Sequence, residues 1–149
     1  MVLAANVQPD GPQGPQNRAQ QLAAFDRGGM AAVLREQLAP VYGIEENQGL
    51  IDLLQTQVQA VGIERFRRQL RYAAQRPGLC GASALPMPML ALSGSDDRLC
   101  PPGCGEEIIT CSSDARSSHQ VLQGTGHLLP LQAPDWCAHH IDRFLTCLG

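Results

Sequence analysis

Two short stretches hold the residues best suited to acid–base chemistry. One is GSDDRLCPP, residues 94–102, with adjacent carboxylates at Asp96 and Asp97; the other is QGTGHLLPLQAP, residues 123–134, with His127 behind a glycine turn. A glycine-flanked histidine on its own is ordinarily a loop residue without a special role. Its meaning changes if a carboxylate stands beside it. The carboxylate then accepts the Nδ1 proton, fixes the tautomer and leaves Nε2 as the atom that takes a proton from a substrate or nucleophile. Such a pairing requires the two stretches to reach the same edge of a sheet. In parallel sheets, side chains that do chemistry gather in the loops after the carboxyl ends of the strands.

The flanking sequence meets that requirement. PMLALSG, 88–94, is a compact apolar run bounded by proline and glycine, as expected of a buried parallel strand, and SHQVLQG, 118–124, is a weaker strand. Between them CGEEIITCSS, 104–113, reads as a short helix with Glu106 and Glu107 in its first turn. The strand–helix–strand unit at 89–122 implies parallel pairing with a right-handed crossover. PDWCAHHIDRFLTCLG, 134–149, reads as a terminal helix burying Trp136, His140 or Ile141, Phe144, Leu145 and Leu148.

Upstream, VLAA at 2–5 is a short apolar strand followed by a loop rich in proline and glycine. Four helices are expected after it. The first, 16–27, stops at Gly28-Gly29, and the second, 30–38, ends before Pro40. The third, 47–61, carries Leu50, Ile51, Leu54, Val58 and Val61 on one stripe. The fourth, 63–76, buries Ile63, Phe66, Leu70 and Ala74, and its arginines at 65, 67, 68, 71 and 76 read as a solvated face, with binding of an anionic substrate group as the lesser reading. This block is too large for a simple crossover and reads as an inserted helical cap. The expected fold class is therefore α/β, with parallel strands, flanking helices and three parts: strand and loop at 1–14, helical cap at 15–78, and a core at 79–149 carrying acid and histidine.

Composition narrows the function classes. The chain has 149 residues, 44% of them hydrophobic and 17% charged, which suits a packed globular protein. Its net charge of −3 argues against nucleic acid as a partner. All eleven basic residues are arginine, a bias with no functional account. No apolar run is long enough to span a membrane and no signal peptide is evident, so a cytoplasmic location is expected. The six cysteines (Cys80, Cys100, Cys104, Cys111, Cys137 and Cys147) are expected to be reduced thiols. Cys100 and Cys104 form a C-x3-C pair that lacks a second pair at zinc-finger spacing, so neither a metal nor another cofactor is expected.

The stretch PMPMLALSGSDDRLCPP resembles the α/β-hydrolase family's strand, Gly-x-x-Asp and following proline. VLQGTGHLLPLQAP is similar to its penultimate stretch, small-residue turn and histidine, with a proline seven residues on. The resemblance implies that Asp97 is the acid of a catalytic triad, with Asp96 as the alternative, and that His127 is its base. The order acid then histidine also agrees with that family. Gln132 stands where many relatives carry a glutamate, a position of structural rather than catalytic weight.

The resemblance departs sharply at the nucleophile. No Gly-x-Ser-x-Gly elbow occurs: Ser83 sits in GASAL, Ser93 and Ser95 flank Gly94, and Ser112, Ser113, Ser117 and Ser118 surround the weak strand. A His-Gly-rich oxyanion segment is missing as well. The chain thus resembles the C-terminal part of a serine hydrolase for small ester- or lactone-like carbonyl substrates, inactive alone. A complementary N-terminal half, or self-association through the sheet edge at Val2–Ala5, is the partner this implies. The other readings are a non-catalytic binding module and a truncated gene product.

Overall fold

The computed structural model describes residues 1–78 and 85–149. Cys80 and Ser83 lie outside the described residues. The chain forms two compact units: Met1–Val7 with Cys80–Gly149, and Gln8–Leu79.

Among the described residues, the first unit is built on three parallel strands in the order β1-β2-β3: Val2–Leu3, Leu90–Gly94 and Ser118–Leu122. Val2 stands opposite Ala91 and Leu3 opposite Leu92, while β2 and β3 are in register from Leu90–Ser118 to Gly94–Leu122. The central strand β2 is buried along its whole length, which is why LALSG carries no charge and does not alternate. Its side chains nevertheless divide by parity between two faces. Leu90 and Leu92 join Leu129 and Cys137 in the core, against Leu3, Leu122, Trp136, Ile141 and Phe144. Ser93 points the other way, towards a helix α5 that spans Pro102–Thr110. That helix approaches so closely that a Cβ on Gly105 would lie 2.8 Å from Ser93 Oγ and 2.3 Å from His119 Nε2.

The sequence places α5 two residues late. It starts at Pro102, because proline at the first helical position gives up no needed donor and already has a helical φ. Glu106 and Glu107 therefore lie beyond its first turn. After β3 come a single-turn helix, α6, Leu129–Gln132, and the longer α7, Pro134–Thr146. The expectation for α7 also needs correcting at one position. Leu145 is 59% exposed, whereas Cys137 is buried. At 100° per residue, Cys137, Ile141, Phe144 and Leu148 share one stripe, and Leu145 falls on the stripe of Ala138 and Asp142.

The second unit is helical. Helix α1 runs Gly14–Val33 with a kink at Gly28 and Gly29; Gly29 has φ 64°, in the left-handed region open to glycine. The glycine pair thus bends the helical path where the sequence predicts a stop. A π-helical turn, Leu34–Leu38, follows, with the Ala39 N–H reaching back to the Leu34 carbonyl. This wider turn carries the chain into α2, Ala39–Tyr42, with Pro40 in its first turn, so Pro40 begins a helix and does not end one. Gly43, at φ 65°, closes it.

Helices α3, Gln48–Val58, and α4, Ile63–Ala74, complete the unit, the former capped by Asn47 Oδ1 accepting the Leu50 N–H at 3.1 Å. Ala24, Met30, Val33 and Phe66 form the buried centre, and the Phe25 and Phe66 rings stack at 5.5 Å. The arginines of α4 at 65, 67, 68 and 71 are exposed, as the amphipathic pattern predicts. The ends of the unit come together: a Cβ on Gly78 would lie 3.0 Å from Pro9 Cδ. No helix among the described residues is long and apolar enough to cross a membrane.

Gly94, where β2 gives way to the acid loop, has no room for a side chain. A Cβ there would lie 2.3 Å from the Thr125 carbonyl oxygen and 2.6 Å from that of Gly126. Both obstacles are backbone, so they cannot turn aside. The Gly94→Ala substitution is expected to cost about 3 kcal/mol or more, read as a lower midpoint in urea unfolding of the full chain.

Candidate acid–base site

Beyond β2 and β3 the two loops are joined by their backbones. The Ser95 N–H donates to the Leu122 carbonyl at 2.9 Å and the Asp96 N–H to the Thr125 carbonyl at 2.8 Å. The Gly124 N–H donates to Ser95 Oγ at 2.8 Å. This lacing depends on Gly124, whose φ of 71° turns the histidine loop back towards the acid loop. On the far side the Gly126 N–H donates to Gln132 Oε1 at 2.9 Å, so Gln132 pins the residue before His127 from α6.

Asp97 is the buried acid, 2% exposed. Its Oδ1 accepts the N–H groups of Leu99 at 2.9 Å and Cys100 at 2.8 Å, and Oδ2 meets His127 Nδ1 at 2.9 Å. The first two bonds make a local turn in which an aspartate captures amides just downstream of itself. Asp96 is exposed and accepts the Ser95 hydroxyl at 2.7 Å. Of the two carboxylates, Asp97 is therefore the one that faces the histidine.

Burial of His127 pushes its pKa down, but the hydrogen bonds to Asp97 and Cys100, with the charge of Asp97, outweigh that effect and raise it to about 9. The imidazole is thus held as an imidazolium through neutral pH, with Nδ1–H directed at a buried carboxylate. When that proton stays on Nδ1, Nε2 is the nitrogen through which the ring exchanges protons.

Cys100 completes the cluster and is the residue that sequence reasoning missed. It is 6% exposed. Its Sγ, an Asp97 carboxylate oxygen and a His127 ring nitrogen lie within 4.8 Å of one another. Asn6, just past β1, donates its Nδ2 proton to Cys100 Sγ at 3.7 Å, and its Oδ1 is buried with no hydrogen-bond partner among the described residues. The available signal was the three-residue step from Asp97 to Cys100, the spacing at which an aspartate turn brings a side chain back beside the carboxylate.

Ser93, Ser112, Ser113 and Ser117 are engaged away from the pair. Ser93, 3% exposed, lies 2.9 Å from His119 Nε2 in the interior between β2, β3 and α5. Ser112 donates to the Met87 carbonyl, Ser113 to the Leu85 carbonyl and Ser117 to Ser112 Oγ. The His119 pKa is lowered by burial, with Glu106 opposing.

No protein-family model matches the chain, and no curated protein matches its sequence. Solved structures do match its fold. The thermophilic esterase from Thermogutta terrifontis is 22% identical at a TM-score of 0.78, over 97% of this chain and 54% of that one. Rv0554 from Mycobacterium tuberculosis is 18% identical at a TM-score of 0.70, over 98% of this chain and 56% of that one. MGS-M2, an α/β-hydrolase enzyme from a Medee basin deep-sea metagenome library, is 16% identical at a TM-score of 0.67, over 98% of this chain and 55% of that one. The chain therefore has part of the α/β-hydrolase fold. It spans little more than half the length of these structures.

The His127 pKa, raised from 6.5 to about 9, sets a pH dependence whose sign is fixed. The pair stabilises the fold fully below 6.5, and that stabilisation is lost as pH rises through about 9. The loss is at most about 3 kcal/mol, reduced by solvent screening of a side chain that is 20% exposed. In NMR titration His127 is expected to have its midpoint near 9. Asp97→Asn is expected to bring that midpoint down and to flatten the fall in stability across this pH range.

Proposed function

We propose that this chain supplies the acid and base of a serine hydrolase acting on small ester- or lactone-like carbonyl substrates. The nucleophile and oxyanion hole would come from a portion outside this chain. The observation that carries the reading is the part-buried Asp97–His127 hydrogen bond, at 2.9 Å, between the loops that follow adjacent parallel strands. In such an enzyme a serine Oγ attacks the carbonyl carbon while His127 Nε2 takes the hydroxyl proton. Asp97 keeps the ring oriented and stabilises the imidazolium. The proton then passes to the departing alkoxide, and the same base activates the water that cleaves the acyl-enzyme.

An imidazolium with a pKa of about 9 is a poor base at neutral pH. A nucleophile-bearing portion covering the histidine would deepen its burial, which already pushes the pKa down, and so bring it towards the working range. In this reading the outer edge of β1 receives the neighbouring strand of that portion, and the helical unit Gln8–Leu79, inserted between β1 and β2, serves as the cap.

The test is a chimera that places an α/β-hydrolase N-terminal portion, with a Gly-x-Ser-x-Gly elbow, ahead of this chain. A cooperatively folded chimera is expected to label with a fluorophosphonate and to hydrolyse p-nitrophenyl acetate. His127→Ala should lower that rate by about 10⁴-fold or more. A folded chimera that neither labels nor turns over would sink the reading.

A further inference from the structure

We propose that Asp97, Cys100 and His127 form a binding site for a borderline divalent cation, zinc being the best fit. The three side chains offer one carboxylate oxygen, one thiolate sulfur and one imidazole nitrogen, within 4.8 Å of one another. Hard cations such as magnesium and calcium take sets of oxygen ligands, whereas zinc accepts S, N and O donors together. Around a tetrahedral zinc with bonds of roughly 2.0–2.3 Å, neighbouring donors are separated by roughly 3.3–3.8 Å. Side-chain adjustments of about 1 Å would close the present cluster onto an ion.

Two features distinguish this cluster from thiol packing alone. A buried cysteine ordinarily sits among apolar atoms, whereas Cys100 sits against a carboxylate and an imidazole and receives the Asn6 amide proton. Beside it, Asn6 Oδ1 is a buried acceptor with no donor among the described residues, a state that costs about 1–3 kcal/mol. Three protein ligands leave a tetrahedral ion one open position, which water fills. Asn6 Oδ1, on the side chain whose amide reaches Cys100 Sγ, would accept a proton of that water.

Binding is balanced by proton release. The Cys100 thiol proton and the His127 Nδ1 proton leave to solvent, while Nε2 keeps its proton. The ion then stands where the Nδ1–H donation to Asp97 stood, so a zinc-loaded site has no base. Zinc would therefore act as an off-switch for the chemistry proposed above, a consequence that rests on that reading. The binding site itself does not, and its test uses no turnover.

The reduced full chain is titrated with Co²⁺ and then with Zn²⁺. Cobalt is expected to give a thiolate-to-metal charge-transfer band and the strong visible bands of a four-coordinate ion, and zinc should abolish both. Zinc should also raise the melting temperature. Cys100→Ser is expected to remove the charge-transfer band and weaken zinc binding at least about tenfold, while Cys104→Ser leaves both intact. Absence of the band in the folded wild-type chain, or its survival in Cys100→Ser, overturns the proposal. Should Cys100→Ser fail to fold, ¹⁵N NMR of the wild-type chain decides the matter. His127 Nδ1 is expected to shift with zinc, and ring resonances that ignore saturating zinc also overturn it.

Discussion

A charge taken out of water has to be given partners, and the Met1–Val7 and Cys80–Gly149 unit is organised around one such charge. Asp97 is almost wholly buried, and an unpaired carboxylate there would cost several kcal/mol. Two of its donors are amides of its own loop, so they come with the local turn. The third, His127, arrives from a loop thirty residues further along the chain. To bring it there, β2 and β3 must run parallel and end level with one another. Gly94 must yield space to the Thr125 and Gly126 carbonyls, and Gln132 must hold the Gly126 amide. The strand register and the loop glycines are thus conditions for burying one carboxylate.

The same burial sets the electrostatics of the histidine. Desolvation favours the neutral ring, and the neighbouring groups favour the charged one; here the neighbours prevail. A histidine–carboxylate pair in this state is a stabilising ion pair first. Its capacity as a base depends on how far the opposing desolvation can be increased, so structure and chemistry draw on one interaction in opposite senses.

Much of this was legible in the sequence, for identifiable reasons. The strand β2 announces itself as an uncharged apolar run between proline and glycine, and α3 and α4 by their 3.6-residue stripes. Asp97 and His127 were legible because each follows a strand and a small-residue turn. The failures concern backbone geometry. Gly28-Gly29 reads as a stop but acts as a bend, since the chain re-enters a helix after one left-handed residue. Pro40 reads as a terminator, yet the π-helical turn before it supplies the room that a proline needs. Helix α6 is a single turn containing Pro130, too short to show a period. Cys100 escaped because its partners are set by a turn around Asp97 and by Asn6, which lies just past β1 and ninety-four residues away in sequence.

The approach of Pro9 to Gly78 bears on how such a chain can change over generations. A segment whose two ends nearly touch can be lengthened, exchanged or removed with little displacement of the sequence on either side. The Gln8–Leu79 unit meets the rest of the chain at closely spaced ends. A change of length within it therefore need not displace the strand pairing that positions the buried carboxylate.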